Sequence, residues 1–285
     1  MDEIFLEAAM ESVEVREFLA GTVAVFSTPS PGKTSPNEDV AALFAYEPAG
    51  GVLVICDGVG GSPLGRHASR VAVEEVRAHL EVAASGQQSL REAILNGIES
   101  ANRSVLDLGQ GAATTIAIAE IQADSVRPYH AGDSVVLVTG QRGRLRLQTI
   151  AHSPVGYAVE SGMLDQDEAV HHEERHLVSN VVGAQEMRIE VGPGIDLRAR
   201  DTVLVASDGL FDNFYVEEIV RLVRTGPLEQ VAAALAHRCL ERMRVAEGDR
   251  PGKPDDLSFI LYRPTRSSAS RRISAASSGR KHSSA

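Results

Sequence analysis

Short apolar runs alternate with longer stretches of helical period over most of the chain. The runs Thr22–Ser27, Val40–Tyr46, Val52–Cys56, Thr114–Ile121, Val135–Thr139, Leu145–Ile150, Thr202–Ala206 and Leu257–Tyr262 read as strands. Helical periodicity covers about 66–83, 89–108, 216–224 and 228–243. In the first of these, Ala68, Val71, Ala72, Val76 and Leu80 line one apolar face. Short polar links, as at Asp124 and Gly140–Gly143, leave no room for a helical crossover between neighbouring strands. They predict antiparallel hairpins, and with them an α+β layered sandwich instead of a doubly wound sheet.

The pattern stops near Tyr262. From Thr265 to Ala285 the chain is rich in Ser, Arg and Ala, with Ile273 its one large hydrophobic residue. Such a segment cannot bury enough surface to offset the entropy of ordering, so residues 263–285 are expected to be a disordered tail. Residues 1–262 are expected to form one domain, the first twenty or so being a candidate extension to it. At 43% hydrophobic, the chain can fill one substantial core.

Charge sharpens this division. The formal net charge is −11, yet Arg263, Arg266, Arg271, Arg272, Arg280 and Lys281 contribute only positive charge, which leaves −17 on residues 1–262. So acidic a body repels nucleic acid and suits a protein that gathers cations. No apolar run approaches the roughly 20 residues of a membrane span. Met1–Met10 carries Asp2, Glu3 and Glu7 and lacks the basic start of a secretory signal, so a cytoplasmic protein is expected. Cys56 and Cys239 are far apart, and buried thiols suit them better than a disulfide.

The acids gain meaning from their positions. Asp57-Gly58 follows Val52–Cys56, and Ser207-Asp208-Gly209 follows Thr202–Ala206. Glu38-Asp39 precedes Val40, and Asp255-Asp256 precedes Leu257. Each alone is an ordinary turn or loop feature. Four strands that are distant in sequence, each with a carboxylate at one end, suggest convergence, and converging carboxylates need cations to offset them. All-oxygen ligation suits Mg²⁺ or Mn²⁺ and disfavours zinc. The glycine after Asp57 lets the backbone approach closely enough for the Gly58 carbonyl to serve as a ligand.

With these residues in place, the chain resembles the metal-dependent protein phosphatases, the type 2C Ser/Thr enzymes. The resemblance runs from about Gly21 to Tyr262, and its motifs stand in the family's order: Asn37-Glu38-Asp39, Asp57-Gly-Val-Gly-Gly61, Gly111-Ala-Ala-Thr-Thr115, Ala131-Gly-Asp-Ser134, Ser207-Asp-Gly-Leu-Phe-Asp212 and Asp255-Asp256-Leu-Ser258. It implies a four-layer α-β-β-α sandwich with two central antiparallel sheets and two metal ions at one edge. Asp57 would bridge the ions, Gly58 would lend its carbonyl, Asp208 and Asp255 would hold one ion, and Glu38 would serve the other, partly through water. Asp39 would orient the attacking water, and Asp133 and Asp212 fall where some members bind a third, weaker ion. The implied reaction is hydrolysis of phosphoserine and phosphothreonine in proteins by a hydroxide shared between the metals, with Mn²⁺ or Mg²⁺ as cofactor. The implied partners are phosphorylated proteins and an opposing Ser/Thr kinase, with no nucleic acid and no membrane.

Three positions depart from the family pattern. Thr34, beside Lys33, stands where many members carry a phosphate-binding arginine; Lys33 supplies a charge but not the bidentate fork. Arg66 is a further candidate for substrate phosphate. Val59 and Ser62 replace histidines found in other members. These departures keep open a second reading, a phosphoprotein-binding scaffold with little turnover. A third comes from His172-Glu-Glu-Arg-His176, which fits the zinc-protease pattern HExxH. Charges at Glu174 and Arg175 suit a solvated surface better than a helix packed inside an enzyme, and His67, His130 and His152 show no ligand spacing. In the tail, Arg271-Arg-Ile-Ser274 resembles a basic-directed kinase site.

Overall fold

The computed structural model describes residues 2–46, 50–60, 64–245 and 250–265. Its strands are β1 (Asp2–Leu6), β2 (Glu14–Phe18), β3 (Gly21–Thr28), β4 (Val40–Tyr46), β5 (Gly50–Cys56), β6 (Ile116–Gln122), β7 (Ser125–Ala131), β8 (Val135–Thr139), β9 (Leu145–Gln148), β10 (Glu190–Val191), β11 (Ile195–Asp196), β12 (Thr202–Ala206) and β13 (Leu257–Pro264). The helices are α1 (Gly65–Val82), α2 (Leu90–Leu108), α3 (Pro154–Glu160), α4 (Gln166–Ala169), α5 (Asp208–Phe211), α6 (Val216–Val223) and α7 (Leu228–Arg244). One sheet runs β1-β4-β5-β6-β7-β10, with β11 also on β7; the other runs β2-β3-β13-β12-β8-β9. Every strand pair is antiparallel.

Side-chain alternation builds the expected four layers. On β4, Val40, Ala42 and Phe44 join Ala72, Val76, Ile94 and Ile98 under α1 and α2, whereas Ala41 and Leu43 face the second sheet. Leu53, Ile55, Val25, Val205 and Ile260 complete that central layer. On the far side, Leu204 and Leu261 meet Ile219, Leu235 and Cys239 beneath α6 and α7. Strands covered on both faces carry continuous apolar runs, which is why these segments stand out in the sequence. Ser89 closes a capping box with Glu92 at the start of α2, satisfying two backbone donors. Cys56 and Cys239 are free and buried in separate layers.

The N-terminal residues form an edge strand on each sheet. β1 pairs with β4 at the rim of one sheet and β2 with β3 at the rim of the other. Arg16 of β2 ion-pairs with Glu3 of β1 at 2.9 Å, so this segment joins the two sheets. The last strand also runs two residues past Tyr262, and the Arg263 guanidinium donates to Thr202 Oγ1 and the Val223 carbonyl. β7, absent from the predicted strands, carries Arg127 and Pro128 and lacks a clean apolar run. The tail from residue 266, including Ser274, lies outside the described residues.

Ile55 sits fully buried in the central layer. Ile55→Ala should lower unfolding stability by about 2–5 kcal/mol through lost transfer energy and a residual cavity. A urea midpoint unchanged in far-UV circular dichroism would contradict this packing.

Candidate metal and active site

Strand register decides which chain ends meet. Val40 pairs with Cys56, so Asp39 just before β4 and Asp57 just after β5 stand side by side. In the second sheet Ala206 pairs with both Val135 and Phe259. That brings Asp208 together with Asp133, just before β8, and with Asp255, just before β13. Packing the sheets face to face puts both groups at one edge. The Ser207 hydroxyl donates to Asp39 Oδ2 at 2.9 Å, linking the sheets there.

The surrounding loops hold this arrangement in place. The Asp57 carbonyl accepts from Thr114 Oγ1 at 2.7 Å and from the Thr115 amide at 2.8 Å, while the Asp57 amide donates to Thr115 Oγ1. Thr115 Oγ1 lies 2.7 Å from Ser134 Oγ, so the Gly111–Thr115 and Ala131–Ser134 motifs buttress the same turn. A Cβ on Gly58 would come within 2.5 Å of the Gly65 backbone, and one on Gly209 within 2.0 Å of the Asp256 carbonyl oxygen. Both glycines are required by close backbone approach. Asp256 accepts from the amides of Ser30 and Glu38 and from Lys33 Nζ, and thereby clamps the Glu38 loop against β13.

The electrostatics are those of crowded like charges. Burial, with the charge of Asp256 added, pushes the Asp39 carboxyl up to about 8. Lost hydration, together with repulsion from Asp39, Asp208, Asp255 and Asp133, holds Asp57 well above the carboxylate range. Asp133 is raised in the same way by burial, Asp208 and Asp212. Burial raises Asp212, and burial with Asp208 raises Asp255. Asp39 Oδ1 is buried with no hydrogen-bond partner.

Two lysines reach into this acidic ground. Lys33 Nζ bridges Glu38 (2.7 Å) and Asp256 (2.6 Å), and Lys253 Nζ contacts Asp208 (3.1 Å), Asp212 (2.7 Å) and Asp255 (3.0 Å). A donor set made of oxygens, whose crowded carboxyls resist ionisation for want of positive charge, fits hard divalent cations such as Mg²⁺ or Mn²⁺. Beside the acids opens a cavity of about 500 Å³ between α3, α4 and β8–β9, with Val155, Val159, Val170 and Phe211 among its apolar walls. Its rim carries Asp133, Asp208 and Asp212.

Of the residues expected to bind substrate phosphate, Lys33 stands at the cradle, Thr34 is exposed, and Arg66 turns to Glu7 at 2.7 Å. His172 caps a 3-10 turn over Glu173–His176 whose residues are all at least partly exposed, so the HExxH pattern has no buried helix to present it. His130 and His152 do meet, their rings stacked at 4.3 Å, with Glu190 3.1 Å from His152 Nε2. Ligand atoms from these three lie within 4.8 Å of one another. However, His152 Nδ1 accepts from the Gly132 amide, which leaves its proton on Nε2, facing Glu190. His130 donates from Nε2 to the Ile150 carbonyl, and burial beside His152 holds its pKa down near 4. The group is therefore a hydrogen-bonded stack.

Sequence reasoning overlooked Lys253, Ser207 and the role of Asp256. Lys253 lies only two residues before Asp255, in a stretch where a lysine looks like an ordinary loop residue.

Residues 32–246 match the family model for protein phosphatase 2C. Protein phosphatase PhpP of Streptococcus pneumoniae is 27% identical over 199 residues, covering 67% of this chain and 80% of the relative. The crystal structure of a bacterial serine phosphatase superposes with a TM-score of 0.73 at 27% identity, covering 86% of this chain and 98% of that one. The catalytic domain of the serine/threonine protein phosphatase PstP, solved in complex with two manganese ions, shares the fold at a TM-score of 0.64 and 21% identity, covering 89% of this chain and 100% of that one.

Replacing Asp57 by its neutral isostere should relieve repulsion. In chelator, Asp57→Asn should melt above the wild type, and the difference should grow as the pH rises. At lower pH the wild-type carboxyl takes up a proton and relieves the same repulsion itself. Equal melting temperatures at pH 8 by differential scanning calorimetry would show that the carboxylates do not crowd.

Proposed function

The chain belongs to the protein phosphatase 2C family, and we propose that the acids at the shared sheet edge are the metal and catalytic centre of its phosphatase activity. It hydrolyses phosphoserine and phosphothreonine in proteins with Mn²⁺ or Mg²⁺. The observation that carries the assignment is the register that gathers Asp39, Asp57, Asp133, Asp208 and Asp255 where their charges suppress one another's ionisation. In this arrangement Asp57 would bridge two ions, Asp208 and Asp255 would hold one, and Glu38, partly through water, would hold the other with the Gly58 carbonyl. Asp133 and Asp212 stand where an additional ion could be bound. When bound, the cations lower the pKa of the attacking water and draw charge from the phosphoryl oxygens.

The remaining work falls to the chain's own groups. Asp39 Oδ1, a buried acceptor with no partner, is placed to hold the attacking water. Ser207 fixes the other oxygen of that carboxylate and so its orientation. Lys33 is the cation placed to meet substrate phosphate; its point charge gives attraction without the bidentate geometry of an arginine. The apolar cavity beside Asp133 would receive side chains flanking the phosphoresidue. Cys56 and Cys239 are buried and burial pushes both thiols up, which supports a reaction without a thiolate nucleophile.

The natural substrates are phosphoproteins, and an opposing Ser/Thr kinase completes the proposed cycle. Among the described residues no helix is long and apolar enough to cross a membrane, and we place the enzyme in the cytoplasm.

Hydrolysis of p-nitrophenyl phosphate and of a phosphothreonine peptide should require Mn²⁺ and cease in chelator. Asp208→Ala should lower kcat/KM by roughly 10²-fold or more. Mn²⁺-independent turnover, or full activity in Asp208→Ala, would overturn the assignment.

A further inference from the structure

Lys253 is no stray surface lysine. Its side chain is 23% exposed, and its ammonium touches Oδ2 of Asp208, Asp212 and Asp255, so each of its three N–H donors has a carboxylate. The backbone beneath it is clamped. The Lys253 amide donates to Asn213 Oδ1 at 2.9 Å, and Asn213 Nδ2 donates back to the Lys253 carbonyl at 2.9 Å. Asn213 is fully buried and also donates to the Gly209 carbonyl, within the helix that starts at Asp208. Arg242 in turn donates to the Asn213 carbonyl at 2.6 Å. The loop carrying Lys253 is thus tied to the helix that carries two of the acids it neutralises.

We propose that Lys253 is a resident cation of the acidic centre, which sets the number of divalent ions the site takes up by holding the ground between Asp208, Asp212 and Asp255. The inference rests on the metal-centre reading above. Charge balance gives it direction. Six aspartates meet here: Asp39, Asp57, Asp133, Asp208, Asp212 and Asp255. Two divalent ions and one ammonium leave a single negative charge uncompensated when all six are ionised. Without the ammonium the deficit doubles, and Asp208, Asp212 and Asp133 are left facing one another with room for another ion. Glu38 and Asp256, with Lys33 between them, add one further negative charge that is the same with and without the Lys253 ammonium, so the difference Lys253 makes is unchanged.

The test counts ions and needs no turnover. Mn²⁺ binding is measured by isothermal titration calorimetry and by metal analysis after equilibrium dialysis, on the full chain and on Lys253→Met, Lys253→Gln and Lys253→Arg. The wild type and Lys253→Arg should saturate with two ions, and the two neutral variants should take up a third. In chelator the neutral variants should melt several degrees below the wild type, and saturating Mn²⁺ should close that gap. If Lys253→Met fails to fold, Lys253→Gln and the wild-type count still decide. Equal stoichiometry and affinity across all four proteins would overturn the proposal, as would three ions in the wild type. A wild type that binds no Mn²⁺ at all would instead remove the metal-centre reading on which it stands.

Discussion

Like charges gathered at one rim of two stacked sheets are the constraint around which this molecule is organised. Two carboxylates 4 Å apart would repel by about 4 kcal/mol at an effective dielectric near 20, and at this rim Asp57 feels repulsion from Asp39, Asp208, Asp255 and Asp133. A chain can carry that load only if the strands bearing the acids are held elsewhere by something stronger. Here the hold is the three apolar layers, in which β4, β5, β12 and β13 are buried on both faces. The stable interior and the unstable rim are ends of the same strands.

Compensation at the rim is local and divided between two groups. Lys33 and Asp256 tie the Glu38 loop to β13, and Lys253 gathers the acids at the two ends of α5. Between them runs a seam of small polar side chains. Ser27 and Ser258 share a 2.7 Å hydrogen bond, Asn37 Nδ2 donates to Ser27 Oγ, and Ser207 Oγ donates to Asp39. The sheets that meet through Leu and Ile at their centre meet through hydroxyls at their acidic edge. Hydroxyls there satisfy buried acids without adding charge, and their short side chains keep the acids' positions narrow.

Much of this was legible from the residues. β4, β8 and β12 have the bounds that their apolar runs imply, and the α2 start follows from Ser89 and Glu92. The acids are visible because each is adjacent to such a run. What stayed hidden was either weakly patterned or non-local. β2 reads Glu-Val-Arg-Glu-Phe, an edge strand whose charges mask its alternation, and β7 is interrupted by Pro128. Ser207 reaches Asp39 across 168 positions, and Lys253 meets Asp212 across 41. No window over the sequence contains such pairs; only the register of strands brings them together. His130 and His152 are 22 residues apart in helix-free sequence, and their stacking depends on where β7 ends.

The Arg16–Glu3 bridge has a consequence for solubility. β1 and β2 cover the outermost hydrogen-bonding edges of β4 and β3, and the ion pair couples the two covers. A protease cut that strips this N-terminal clasp would bare both edges at once, each backed by a strongly apolar strand. Exposed edges of that kind recruit strands from other molecules. The first eighteen residues therefore act as a guard against self-association.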